Sequence, residues 1–229
     1  MSSVALFQSG MPFIKGYEVR ATKKREHVDQ FKALLRNLYE SDERMRGFKE
    51  NPSMDDQHYS DPDNHVILAF DEGRVIGGLR MRISTPEYPL VLDMENEIVC
   101  PFGKERLHLQ DLFPELDLQN YAYAEVSCVA TEPEYRNGEV LQSLLSGMLD
   151  LVAKYHVRHV FAYSDLLRLR SYKKVMKTLG EEVHVCMKLP PLILKYHVEG
   201  LRMYMMQAES SLFRADSTEN AESRHFTAA

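Results

Sequence analysis

The stretch AYAEVSCVATEPEYRNGEVLQSLLSGML, residues 122–149, decides how this 229-residue chain is read. Its first ten residues read as a strand. At period two, Tyr121, Tyr123, Glu125, Ser127 and Val129 share one face, and Ala122, Ala124, Val126, Cys128 and Ala130 share the other. The alanine face is small and apolar, suited to close packing under a helix. The opposite face carries two phenols, a carboxylate and a hydroxyl, which suits the wall of a cleft. A solvated face, or a Glu125 paired with an arginine for structure, fits the same pattern. If Glu125 is buried, desolvation raises its pKa toward the range of a general base at neutral pH. Cys128 falls on the face away from Glu125, which reads as a small core residue rather than a nucleophile.

Beyond the strand, Val140, Leu141, Leu144, Leu145, Met148, Leu149 and Val152 form one stripe at helical spacing. Arg136, Asn137 and Gly138 stand at the entry of this helix, where backbone N–H groups lack intrahelical partners. Such an entry with an arginine is suited to a phosphate; alternatively, Gly138 only eases the turn.

Working outward, Val28, Phe31, Leu34, Leu35 and Leu38 predict an amphipathic helix over 25–40. HVILAF (65–70) and RVIGGLRMRI (74–83) flank Asp-Glu-Gly, a hairpin signal. A further strand is expected near LVLDME (90–95), a short helix near 104–113, a strand at 159–163, a helix over 167–179, and closing strands in EVHVCMKL (182–189) and LRMYMMQ (201–207). The polar segment 41–64 is either a surface loop or a cover over a site. The order predicts one α/β domain over residues 1–208, a mixed sheet with helices on its faces, followed by a polar, disordered tail over 209–229.

Composition narrows the function. Lysine and arginine number 28 against 34 acids, a net charge of −6, which argues against nucleic acid as the general partner. No apolar run is long enough for a membrane span, and no signal-peptide run is visible at the N-terminus. Cys100, Cys128 and Cys186 have neither disulfide nor zinc spacing, so a reduced, cytoplasmic setting is expected. The nine histidines show no metal-ligand spacing, and no Gly-x-Ser-x-Gly elbow, Walker loop or Rossmann fingerprint is present. No metal is expected.

Together, VATEPEYRNGEVLQSLL, the order of elements, and RVIGGLRMRIST followed by AEVSCVA resemble the GNAT acyltransferase superfamily. The strongest likeness is to the acyl-homoserine-lactone (autoinducer) synthases and the long-chain N-acyl amino acid synthases, whose strands carry Gly-x-x-Arg and then Glu-x-Ser-Arg. The similarity spans roughly residues 17–207. It implies a GNAT-like, mostly antiparallel mixed sheet with helices on both faces, and transfer of an acyl group to an amine. It also assigns roles. Glu125 matches the glutamate that deprotonates or positions the acceptor, and Ser127 the hydroxyl near the thioester. Arg80 matches the Gly-x-x-Arg arginine or is an ordinary strand-end ion pair. Asp63, and nearly as well Asp61, matches an aspartate near the acceptor, or is simply a turn residue. The amides at Cys128 and Val129 would polarise the thioester carbonyl, and Arg136, Asn137 and Gly138 would meet the donor phosphate.

Departures from the pattern shape the expectation. Cys128 replaces the arginine of Glu-x-Ser-Arg, which sets the acceptor apart from S-adenosylmethionine. Glu139 and Leu141 stand where the phosphate loop has small residues. A glutamate repels pyrophosphate, which favours a donor held by its pantetheine arm. Met176 occupies the place of the usual leaving-group tyrosine; Tyr172, one turn earlier, is either its substitute or a packing residue. Lys154, Arg158, Arg168, Arg170, Lys173, Lys174 and Lys177 against one acid, Asp165, make a basic region over 154–177. It is either a solvated face or a surface for an acyl carrier protein. The expected co-substrate is acyl-CoA or acyl-phosphopantetheine, with no permanently bound cofactor, and the acceptor a small amine such as an amino acid. Two further readings stay open: an acetyl-CoA-dependent N-acetyltransferase, and a non-catalytic module that binds acyl thioesters.

Overall fold

The computed structural model describes residues 17–42, 59, 61–99, 108–136, 138–186, 193–194 and 203–213. Asn137 and Cys100, most of the 41–64 segment, residues 104–107, 187–189 and 201–202 of the expected elements, and residues 214–229 lie outside them.

The hairpin expected around Asp-Glu-Gly forms between β2 (Asn64–Asp71) and β3 (Arg74–Ser84). Its two-residue turn, Glu72-Gly73, has φ of 49° and 82°, the left-handed pair that matches the twist of antiparallel strands. On β2 the alternation is strict. Val66, Leu68 and Phe70 pack with α1 (Arg25–Ser41), whereas Ile67 and Ala69 face the opposite layer. Gly78 on β3 permits the α1 contact, because a Cβ there would meet Leu68 at 2.5 Å and Phe31 at 2.7 Å. A short strand not foreseen in the sequence, β1 (Glu18–Thr22), pairs antiparallel with β2. Five residues with two threonine or valine side chains among charges carry too weak a period to be read alone.

After β3 the chain forms α2 (Asp93–Glu97), β4 (Ile98–Val99) and α3 (Leu109–Leu112), then β5 (Ala122–Thr131) and α4 (Glu139–Lys154). It continues through β6 (Val157–Ser164), α5 (Leu166–Thr178), β7 (His184–Val185), β8 (Ile193–Leu194) and β9 (Tyr204–Glu209). The main sheet runs β1-β2-β3-β5-β6-β9-β7, and its one parallel pair is β5 with β6. α1 covers one face and α4 and α5 the other, so the mixed, mostly antiparallel sheet between helices is as expected.

The strand expected near 90–95 is instead the helix α2. The Glu95 carboxylate accepts hydrogen bonds from Leu92 N at 2.9 Å and from Leu109 N at 2.9 Å, which closes a helical turn and ties it to α3. The polar tail expected from residue 209 begins within the domain. Glu209 closes β9 and pairs with Arg158 at 2.9 Å, and Phe213 packs edge-on against Tyr121.

Candidate active site

The site is organised by an irregularity in β5. Opposite β3, the register passes from Gly78↔Ala130 to Arg80↔Ser127, so β5 carries one extra residue there. Cys128 takes φ of 54°, an uncommon left-handed backbone for a residue other than glycine. This bulge resets the alternation. Ala122, Ala124, Val126 and Val129 face α4, whereas Tyr123 and Cys128 pack on the α1 side. Simple period two had put Cys128 away from Glu125 and Val129 beside it; both assignments are corrected by the bulge. A bulge also leaves the ladder locally unpaired, which frees backbone groups near residues 127–129 for another partner.

The second irregularity is a parting of strands. β5 and β6 pair in parallel from Ala122↔Val157 to Glu125↔Phe161. Just past that last pair a cavity of about 1190 Å³ opens, bordered by residues 126–131 of β5 and 162–164 of β6. α1 contributes Tyr39 to its wall, the entry of α4 contributes Arg136 and Gly138, and α5 contributes Arg168, Tyr172 and Lys174.

Glu125 lies buried just behind the closed end of this cavity, 1% exposed. One carboxylate oxygen accepts a hydrogen bond from Met94 N at 3.0 Å; the other, Oε1, has no hydrogen-bond partner among the described residues. Burial pushes its pKa up to about 8, and the like charges of Asp93 and Glu97 add to the rise. Around it lies a buried charge cluster. Asp93 accepts from both Arg80 and Arg82, and Arg80 Nε also donates to Ser127 Oγ at 3.1 Å. Arg80 is fully buried. Against that burial, Cys128, Asp93 and Tyr59 hold its guanidinium firmly charged. Glu97 accepts from the Tyr163 hydroxyl.

The structure thus brings together Arg80, Glu125, Ser127 and Cys128. Of the two aspartates weighed earlier, Asp61 reaches the cluster, 3.7 Å from Arg82. Asp63 sits in the turn before β2, its carbonyl accepting from Ile83 N at 3.3 Å and its carboxylate acting on His65. At the other end, Gly138 with φ of 94° is the N-cap of α4, and exposed Arg136 precedes it. Met176 is a core residue, whereas Tyr172 lines the cavity, its hydroxyl near Ser164 and its pKa pushed by burial up to about 12. In the basic region, Arg168 and Lys174 reach the cavity, Arg168 held by Asp165 and Asp42. Arg158 instead pairs with Glu209 and stacks over Tyr121.

Sequence reasoning missed Asp93, Glu97, Tyr163 and Tyr39. A signal existed for the first two: within LVLDMENEIV, acids four residues apart share one helical face while apolar residues surround them. Reading the segment as a strand hid it.

The family profile of N-acyl amino acid synthase FeeM matches residues 32–194. No curated protein sequence matches. Among solved structures, FeeM, an N-acyl amino acid synthase from uncultured soil microbes, superposes with a TM-score of 0.58 at 14% identity, covering 87% of this chain and 94% of its own. BjaI, a CoA-dependent acyl-homoserine lactone synthase solved with MTA, gives 0.57 at 15% identity, covering 90% of this chain and 89% of its own. The same synthase with SAM and isopentyl-CoA gives 0.54 at 16%, with the same coverage of both chains. These likenesses show the GNAT-type fold.

Proposed function

We propose that this acyltransferase, which belongs to the N-acyl amino acid synthase FeeM family, moves a medium or long acyl chain from a thioester to the amine of a small molecule such as an amino acid. The donor is an acyl-CoA or an acyl carrier protein. The observation that carries the reading is the cleft between β5 and β6, with a buried acid just behind its closed end and a bulged strand along its wall. The thioester enters this cleft, and its carbonyl is polarised by amides at residues 128 and 129. Each such donor is typically worth about 3 kcal/mol in the transition state. The amine attacks the carbonyl, its proton passes to the acid behind the closed end of the cleft, and the thiol departs. A carboxyl raised to about 8 is matched to accepting that proton.

On the donor side, Arg136 and Gly138 at the mouth of α4 suit a phosphate, and the volume of the cavity suits a pantetheine arm with its chain. BjaI was solved with SAM and isopentyl-CoA; here Cys128 stands in place of the family arginine, and the acceptor is a different amine. The basic face of α5, with Lys174 at the cavity rim, suits the acidic surface of a carrier protein.

Thiol release tests the reading, with acetyl-CoA, long-chain acyl-CoA and long-chain acyl carrier protein each offered with pooled amines. Release from long-chain donors, with the acylated amine found by mass spectrometry, is the expected result. Release from acetyl-CoA alone would make the protein a plain acetyltransferase. Binding without release would make it a sensor of acyl thioesters.

A further inference from the structure

Glu125 is buried behind the cavity wall and does not border it. The wall at that point is formed by Ser127 and Cys128 of β5 and by Tyr163 and Ser164 of β6. A proton leaving an amine in the cavity therefore needs a carrier to reach the buried acids. Tyr163 has the required geometry: the residue borders the cavity, and its hydroxyl already donates to Glu97 Oε2. Parallel register puts Phe161 opposite Glu125, so Tyr163, two residues on, shares the face on which Glu125 lies.

We propose that Tyr163 is the catalytic group through which the acceptor amine loses its proton, handing it from the cavity to the Glu97–Glu125 acid pair. The proposal rests on the acyl-transfer reading and adds the path of its proton. As the amine nitrogen bonds to the thioester carbon, its N–H proton moves to Tyr163 Oη while the phenol's own proton moves to Glu97 Oε2. The C–S bond breaks with its electron pair on sulfur, and the thiolate takes a proton from water in the open cavity. The acid pair returns its proton to solvent before the next turnover.

The charge inventory fits a pair that holds one proton. Arg80 and Arg82 of β3 supply two positive charges, and Asp93 and Glu97 of α2 with Glu125 of β5 supply three carboxylates. One proton on the pair brings this group to neutrality. Cys128 of the same strand faces the cluster, as do Tyr59 and, from α1, Tyr39. Burial and the charges of Glu97 and Glu125 keep the Tyr163 phenol un-ionised at rest, so it passes a proton along rather than storing its absence.

The test is steady-state thiol release across pH with Tyr163→Phe and Glu97→Gln. Phenylalanine keeps the ring packing and removes the hydroxyl; glutamine keeps an acceptor for the phenol and removes the proton sink. Each is expected to lower kcat about 100-fold with KM for the donor changed less than about threefold. Wild type is expected to gain rate as pH rises through about 8, where the acid pair loses its proton, and each variant to lack that rise. Wild-type kcat in both variants would overturn the relay while leaving acyl transfer intact. So would a lowered kcat in Tyr163→Phe that keeps the pH rise while Glu97→Gln stays fully active, since that pattern marks a packing role. If Tyr163→Phe unfolds, Glu97→Gln decides alone. A wild-type protein silent with every donor overturns the acyl-transfer reading and the relay with it.

Discussion

The two ends of β5 are built on opposite principles. At the Glu125 end, five charged side chains on three elements are buried: Arg80 and Arg82 bonded to Asp93, Glu97 to the Tyr163 hydroxyl and Glu125 to Met94 N. At the far end, beyond Thr131, the chain reaches the helix mouth with an exposed Arg136 and a glycine in a left-handed turn. The first end fixes geometry at a cost in desolvation, and the second offers backbone and an exposed cation to whatever enters. The first end suits chemistry that needs a proton held in place, and the second suits a phosphate, which needs only charge and room.

The contrast breaks most visibly at Asp93, where one carboxylate serves two guanidinium groups. Asp93→Ala leaves both arginines buried without their shared partner and is expected to cost about 3–5 kcal/mol in urea unfolding. A loss below about 1 kcal/mol would mean that water reaches the cluster and that its end of β5 is as open as the other.

Glu125 sharpens the comparison through pH. Its folded pKa, about 8, lies above the ordinary 4.5, so the folded state holds this proton more tightly than the unfolded chain. The resulting stability is fully present below 4.5 and is lost as pH rises through 8. Glu125→Gln keeps the acceptor for Met94 N and removes the titration. The variant should therefore be the more stable protein above pH 8, by on the order of a few kcal/mol, while losing activity. Identical stability–pH curves for the two proteins, read from thermal unfolding, would contradict a buried, raised carboxyl.

The same contrast explains what could be read from the sequence. Gly138 and Arg136 were visible because a strand-to-helix turn announces itself through local residue types, and the period of α4 fixed its place. Arg80, Glu125 and Ser127 were visible because short motifs place them on strands. Asp93, Glu97 and Tyr163 were not, since their roles arise from contacts 11 to 66 residues away along the chain. The face of Cys128 was misassigned for a different reason. A bulge depends on the register of β3 against β5, and one extra residue inverts every later side chain on the strand. The sheet itself was legible apart from β1 and the helical turn at Asp93–Glu97, where capping by Glu95 outweighed local strand propensity.

At the open end the expected effects shrink. Gly138 has nothing within 4 Å of a built Cβ, so Gly138→Ala meets no clash, but φ of 94° strains any side chain. A loss of about 1 kcal/mol is expected in thermal unfolding, with donor affinity weakened as the helix mouth shifts. A neutral substitution would show that the turn adapts.

Arg136→Ala should have the smallest effect on stability, because the side chain is exposed. Its consequence belongs to binding: a rise in KM for acyl-CoA of about two- to fivefold at low salt, shrinking as ionic strength screens the charge. kcat should stay within about twofold, since a phosphate contact far from the thioester serves ground state and transition state alike. If Arg136→Ala lowers kcat as strongly as Glu125→Gln, the two ends of β5 are coupled in one catalytic geometry and the division between them fails. If KM is unmoved at every salt concentration, the donor phosphate is held elsewhere. Arg168 and Lys174 on α5, already on the cavity wall, would then be the next cations to remove.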